Sequence, residues 1–137
     1  MDDPKITLLN LLESNWDAAT LGFTPKFSAD WYEKTQDLPQ ITITQEITNQ
    51  RHVFFSDDVT TTDRLCNGQY TIDVWTFDNE QRWQMVEEVL RIVKANCNAP
   101  GGGLEFIQVL NWFDLDEAAL HPKLLRTRIR LNIMYWG

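Results

Sequence analysis

The sequence is poor in the residues that most often carry chemistry, since its 137 positions hold only two cysteines and two histidines. Cys66 and Cys97 are far apart, and neither has a Cys or His neighbour at metal-ligand spacing. No structural zinc site or disulfide framework is therefore expected, and the pair reads as free thiols in a reducing compartment. His52 and His121 belong to no nucleophile or metal motif, and His121 precedes Pro122, as a turn residue does. No apolar run approaches the roughly 20 residues needed to cross a bilayer. The N-terminus lacks a basic stretch followed by an apolar one, so a signal peptide is not expected and the chain should be soluble and intracellular when made. Basic residues are scarce as well: 12 Lys and Arg stand against 20 Asp and Glu, a net charge of -8. That balance disfavours nonspecific binding of the whole surface to nucleic acid or anionic lipid. Internal repeats and low-complexity linkers are also absent.

What is present is a full complement of core material. Hydrophobic residues make up 43% and aromatics 12%, with six tryptophans. A chain of this length forms one domain, 1–137, and buries roughly two-thirds of its unfolded surface without staples. The charge is unevenly spread, because residues 1–65 carry 5 basic and 11 acidic groups. Lys123, Arg126, Arg128 and Arg130 are the only basic groups from residue 104 onward and fall within one short stretch. Such polarity suits self-association in which unlike patches of neighbouring copies meet.

Periodicity divides the chain into elements. Asp3 as N-cap and Pro4 in the first turn open a helix expected over 4 to about 18, with Ile6, Leu8, Leu9, Leu12 and Trp16 as its apolar stripe. Residues 23–32 are aromatic but have no clear period, as for a short strand or an extended cover over the core. Ile41, Ile43 and Ile47 alternate with polar residues as a half-buried strand does, which residues 52–55 either continue or pair with. A mobile polar loop is expected over 56–67, holding Asp57, Asp58 and Asp63. Asn67 and Gly68 then read as a turn before a strand in which Tyr70, Ile72 and Val74 alternate with Thr71, Asp73 and Trp75. Asp78 and Gln81 suggest a capping box for a helix over 79 to about 96, with a stripe of Trp83, Val86, Val89, Leu90 and Val93. Residues 104–113 return as a strand, and 124–136 form the clearest strand of all. There Leu125, Thr127, Ile129, Leu131, Ile133 and Tyr135 share one face, and Arg126, Arg128, Arg130 and Asn132 the other. The fold class expected is α+β, a mainly antiparallel sheet covered by two helices.

Catalytic and metal motifs are not recognisable. Gly101 to Gly103 follow a helix and precede a strand, the reverse of a phosphate-binding loop, and so read as a helix C-cap and flexible connection. Asp114, Asp116 and Glu117 lack the glycine and the distal glutamate of a calcium loop and read as a solvated acidic loop, as do Asp57, Asp58 and Asp63. No enzyme activity, metal or cofactor is expected. The arginine row has three readings: charge that protects an edge strand, ion pairing with the acidic half of another copy, or contact with a nucleic-acid backbone.

The order of these elements, carried by residues 69–77, by 83–93, and by His121 and Pro122 leading into 126–135, resembles the phage tail terminator and tail-completion proteins, including the minor tail protein U class. The resemblance implies a structural virion protein, placed in the tail or neck and assembled in the host cytoplasm. It would form a ring, a hexamer in that family, that caps the finished tail tube and joins it to the head. Its implied partners are other copies of itself, the tail-tube protein and the head-tail connector protein, with DNA passing through the lumen without sequence-specific binding. On that reading Lys123, Arg126, Arg128 and Arg130 line a subunit interface or the lumen, and the loop with Asp57, Asp58 and Asp63 docks the tube or connector. A neck or connector protein of the same assembly is the first alternative, and a small-ligand or nucleic-acid binding module the second.

Overall fold

The computed structural model describes residues 3–29, 39–53, 63–98, 100–101, 103–116 and 124–136. In chain order it places α1 (Pro4–Asn15), α2 (Ala18–Leu21), β1 (Lys26–Ser28), β2 (Gln40–Val53), β3 (Asp63–Thr76), α3 (Asn79–Ala95), β4 (Leu104–Asp114) and β5 (Leu125–Trp136). The strands form one sheet in the order β1-β2-β3-β5-β4. The expected α+β class is observed, with one departure from antiparallel pairing, since β1 runs parallel to β2. β3 and β4 are each antiparallel to β5 and so run parallel to one another, with α3 connecting them and β5 inserted between.

One face of the sheet is the core. Ile41 and Ile43 of β2, Ile72 and Val74 of β3, and Ile129, Leu131 and Ile133 of β5 are fully buried there, packed on Leu8 and Leu12 of α1 and on Met85, Val89 and Ile92 of α3. Each such side chain contributes roughly 1.5–3 kcal/mol by leaving water. The alternation of the last strand therefore describes its packing correctly, with Thr127 the buried polar member of the row.

Several expectations are corrected. Residues 63–67 are not loop but the first turnless stretch of β3, paired with β2 from Val53↔Asp63 onward and with β5 from Leu65↔Trp136 onward. Residues 54–62, and with them Asp57 and Asp58, lie outside the described residues. Asn67 and Gly68 make no turn; they pair with Asn49 and Thr48 on one side and with Met134 and Ile133 on the other. Composition misled here because Asn-Gly is a turn signal only where the chain must reverse, and two flanking strands supply ladder partners instead. Residues 52 and 53 continue β2, but a register shift between Gln45 and Ile47 sets Ile47 opposite Gln69, so it does not keep the parity of Ile41 and Ile43.

The helices differ in detail. Asp3 caps α1 as expected, its carboxylate accepting from the Lys5 amide at 2.9 Å. The helix stops at Asn15 because Trp16 turns to extended geometry, where its indole donates to the Phe23 carbonyl at 3.1 Å and meets Phe23 and Phe27 edge-on. Those contacts account for Phe23 and Phe27 of the aromatic segment that follows, whereas Trp31 and Tyr32 lie outside the described residues. The buried face of α1 is Leu8, Leu11 and Leu12, whereas Ile6 is exposed. On α3, Val86, Val89 and Val93 are buried as expected, but Trp83 is 54% exposed. The box at its start is not reciprocal: Asp78 accepts from the Glu80 amide at 3.0 Å, while Gln81 instead accepts from the Thr76 hydroxyl at 2.5 Å. Its C-cap is Asn96, not the glycines. Gly101 and Gly103, at φ 81 and 87, build the turn into β4 that is closed by the Leu104 amide on the Gly101 carbonyl.

A polar clip holds the two helical units together. Glu88, buried on α3, accepts from the Asp17 amide at 3.1 Å and pairs with Arg91, whose guanidinium also donates to the Asn15 carbonyl at 2.9 Å. The hydrogen bond to Glu88 is the main cause that raises the Arg91 pKa above its ordinary value. Asp17 caps α2, and hydrogen bonding with Thr20, side chain first and backbone second, holds its carboxyl below the ordinary carboxylate pKa. A carboxyl lowered in the folded state stabilises fully above its unfolded pKa and loses that contribution as pH falls through the folded one. The melting temperature should therefore drop on acidification from about pH 5 toward pH 2. An Asp17→Asn variant should drop less over the same window, as read by circular dichroism melts.

Candidate functional site

The face of the sheet opposite the helices carries the arginine row, and the pairing register fixes what each arginine meets. Trp75 of β3 lies opposite Arg126 of β5, Asp73 opposite Arg128, and Thr71 opposite Arg130. Alternation alone assigns this face to solvent or a partner. Yet Gln40, Thr42, Thr71, Asp73, Trp75 and Arg126 on it are all buried.

Asp73 is the centre of the arrangement, with its side chain 1% exposed. It accepts from Arg128 through two bonds, Nε to Oδ1 at 3.1 Å and Nη2 to Oδ2 at 3.3 Å, and from Arg126 Nη2 to Oδ2 at 3.1 Å. The two-point contact is the planar fork geometry that guanidinium and carboxylate favour. Arg126 also lies over the Trp75 ring at 4.7 Å, and the Trp75 indole donates to Thr42 Oγ1 at 2.9 Å. Thr44 and Thr71 join β2 to β3 by a hydroxyl contact of 2.5 Å. The row is thus graded. Arg126 is buried, Arg128 is 20% exposed at its side chain, and Arg130 is 40% exposed. Arg130 stands over Phe113 of β4 at 5.2 Å, with Nε 3.7 Å from Glu46.

The sequence-predicted residues divide accordingly. The three arginines do share a face, but Arg126 and Arg128 are engaged within the chain, which leaves Arg130 as the most accessible member. Lys123 lies outside the described residues, as do His121 and Glu117. Asp63 is placed by its backbone at the start of β3. Asp114 and Asp116 are also engaged internally. Asp114 accepts from Thr127 at 2.7 Å and lies 3.5 Å from Arg82, and Asp116 accepts from Arg82 at 2.5 Å and from the Arg126 amide at 3.3 Å. No group of His, Cys, Asp and Glu suited to a metal ion occurs among the described residues. No described helix is long and apolar enough to cross a membrane. Both Cys66 and Cys97 are free thiols.

Sequence reasoning missed Asp73, Trp75, Phe113 and Glu46. The signal for Asp73 was available: aspartate is unfavourable within strands, and one set among Ile72, Val74 and Trp75 needs a cationic partner on the neighbouring strand.

No protein family model matches the sequence, and no curated protein matches it. Among solved structures the chain is similar to one in the virion of a native gene transfer agent particle, with a TM-score of 0.54 and 10% identity over 98% of this chain and 95% of that one. At that identity the likeness establishes a shared fold from end to end.

Removing Asp73 would take the shared carboxylate from two guanidinium groups on a water-poor face. Asp73→Ala should cost about 3–5 kcal/mol of unfolding free energy in urea titrations. Arg130→Gln, at the exposed end of the row, should stay within about 1 kcal/mol of the parent.

Proposed function

We propose that this chain is a structural, non-enzymatic protein of a phage-like virion, acting as a tail terminator that caps the tail tube as a ring and joins it to the head. The observation that carries the reading is the likeness along 98% of the chain to a component of a gene transfer agent virion, where the neighbour is a particle protein. The resemblance of the element order to the tail terminator family agrees with it. Ring partners would be further copies of the chain, hexameric by that resemblance. The tail-tube and connector proteins would meet the two ends, and DNA would pass through without sequence-specific contact.

The charge distribution supports association of unlike faces. The sheet face ends in Arg130 and the partly exposed Arg128, whereas exposed Glu13, Asp17, Glu80 and Glu87 lie on the helical side. A copy presenting the first to a copy presenting the second repeats without a twofold axis, as ring closure requires. The part of the chain with Asp57, Asp58 and Asp63 is the proposed docking segment for tube or connector.

Arg130→Gln is the clean probe of the interface, because Arg126 and Arg128 also hold Asp73. The substitution should weaken self-association about tenfold in 50 mM salt and much less in 500 mM, since screening removes most of the attraction between exposed charges. Sedimentation velocity reads both arms. The reading fails if light scattering finds only monomer at high concentration and no ring forms after mixing with tail-tube protein.

A further inference from the structure

The arginines of the sheet face are not equally committed to their own chain. Arg126 and Arg128 bond to Asp73. Arg130 makes no side-chain hydrogen bond among the described residues, and Glu46, at 3.7 Å from its Nε, lies beyond hydrogen-bond reach. Its guanidinium, half-exposed over Phe113, is therefore the cation of that face with acceptors still to find.

On the helical side the acceptors in question are Glu13, Glu80 and Glu87, all exposed, and the relief of the surface separates them. A hollow of about 300 Å³ opens between α2 and α3, lined by Asp17, Gln84, Glu87, Glu88 and Arg91 among others. Glu13 and Glu80 stand outside it. Three carboxylates against one guanidinium leave the hollow two charges negative. Arg91 is taken up by the buried Glu88 and the Asn15 carbonyl, and Asp17 by the Thr20 amide. Glu87 has no hydrogen bond or ion pair among the described residues, and Gln84 precedes it by one helical turn on the same face of α3. A concave wall holds little water and concentrates the field of the charges that line it, so a carboxylate there attracts a cation more strongly than one on the outer curve of a helix.

We infer that Arg130 of one copy enters the α2–α3 hollow of the next and pairs with Glu87, with the Gln84 carboxamide as a second acceptor. This rests on the ring reading and gives its contact two named ends. The hollow is small for a bound molecule and of a size for one side chain. Phe113, under Arg130, comes to the rim with it, where Leu21 offers an apolar neighbour. Arg130 and Glu87 lie on opposite sides of the sheet, so a single contact between two copies cannot use both pairs at once. The association is head-to-tail, and each copy gives one arginine and receives another.

The test is a charge-reversal cycle on the full chain, read by sedimentation velocity at low salt. Arg130→Glu and Glu87→Arg should each weaken self-association by about tenfold or more, and the variant with both should return to within about threefold of the parent. Glu80→Arg combined with Arg130→Glu should restore nothing. Circular dichroism melts should match the parent throughout, since Glu87 is exposed and Arg130 half-exposed. The pairing is overturned if the double variant is as weak as the two single effects combined, if Glu80→Arg restores association as well as Glu87→Arg does, or if Glu87→Arg alone changes nothing. In each of those cases the parent still associates and the ring reading survives. A parent that stays monomeric at high concentration overturns both.

Discussion

A carboxylate taken out of water needs positive partners, and Asp73 has two on the adjacent strand. The pairing of Asp73 with Arg128 sets the register of β3 on β5, because a slip by one residue would turn the carboxylate into the apolar core and face Ile72 to the arginines. The core row of Ile129, Leu131 and Ile133 depends on that register, and so does the position of α3 over β3, β4 and β5. A buried ion pair is a weak net contributor to stability, but losing one half of it is costly. The network therefore acts more as a lock on alignment than as a reservoir of folding energy. The two faces of the sheet are accordingly held by different physics, one by apolar burial and the other by directional bonds among Asp73, Trp75, Thr42 and the arginines.

Much of this was legible in the sequence where a single period governs. β5, α3 and the second half of β3 followed from alternation and helical stripes because each buries one consistent face. The misreadings fall where a local signal met a tertiary constraint. Asn67 and Gly68 look like a turn, yet two neighbouring strands hold them extended. Trp83 fits the stripe of α3, but its place at the helix flank leaves half of it in water. The register shift near Glu46 was hidden because Ile41, Ile43 and Ile47 keep an even spacing in sequence, although the bulge reverses the faces beyond Gln45.

The arginine row shows the same limit at the level of function. Its existence was plain in the sequence, but its grading was not, because burial and pairing depend on Asp73, which lies 53 positions before Arg126. Structure turns three equivalent-looking charges into an anchor, a bridge and an exposed end. A partner that meets this face encounters chiefly Arg130, with Phe113 beneath it.

β4 shifts register between Val109 and Asn111, and Leu110, the extra residue, is turned outward. That single insertion restores Trp112 to the helix side, opposite Ile129, and leaves Phe113 on the arginine side, opposite Arg128. The two surfaces are thereby geared to one another like the sides of a single cog. Loss of Leu110 would straighten the strand and leave Asn111, Trp112 and Phe113 opposite the same partners, so the bulge is a place where the strand can shorten without exchanging its faces. The two faces of β4 thus tolerate a change of strand length at this one position, where elsewhere along a regular strand a lost residue would turn every later side chain over.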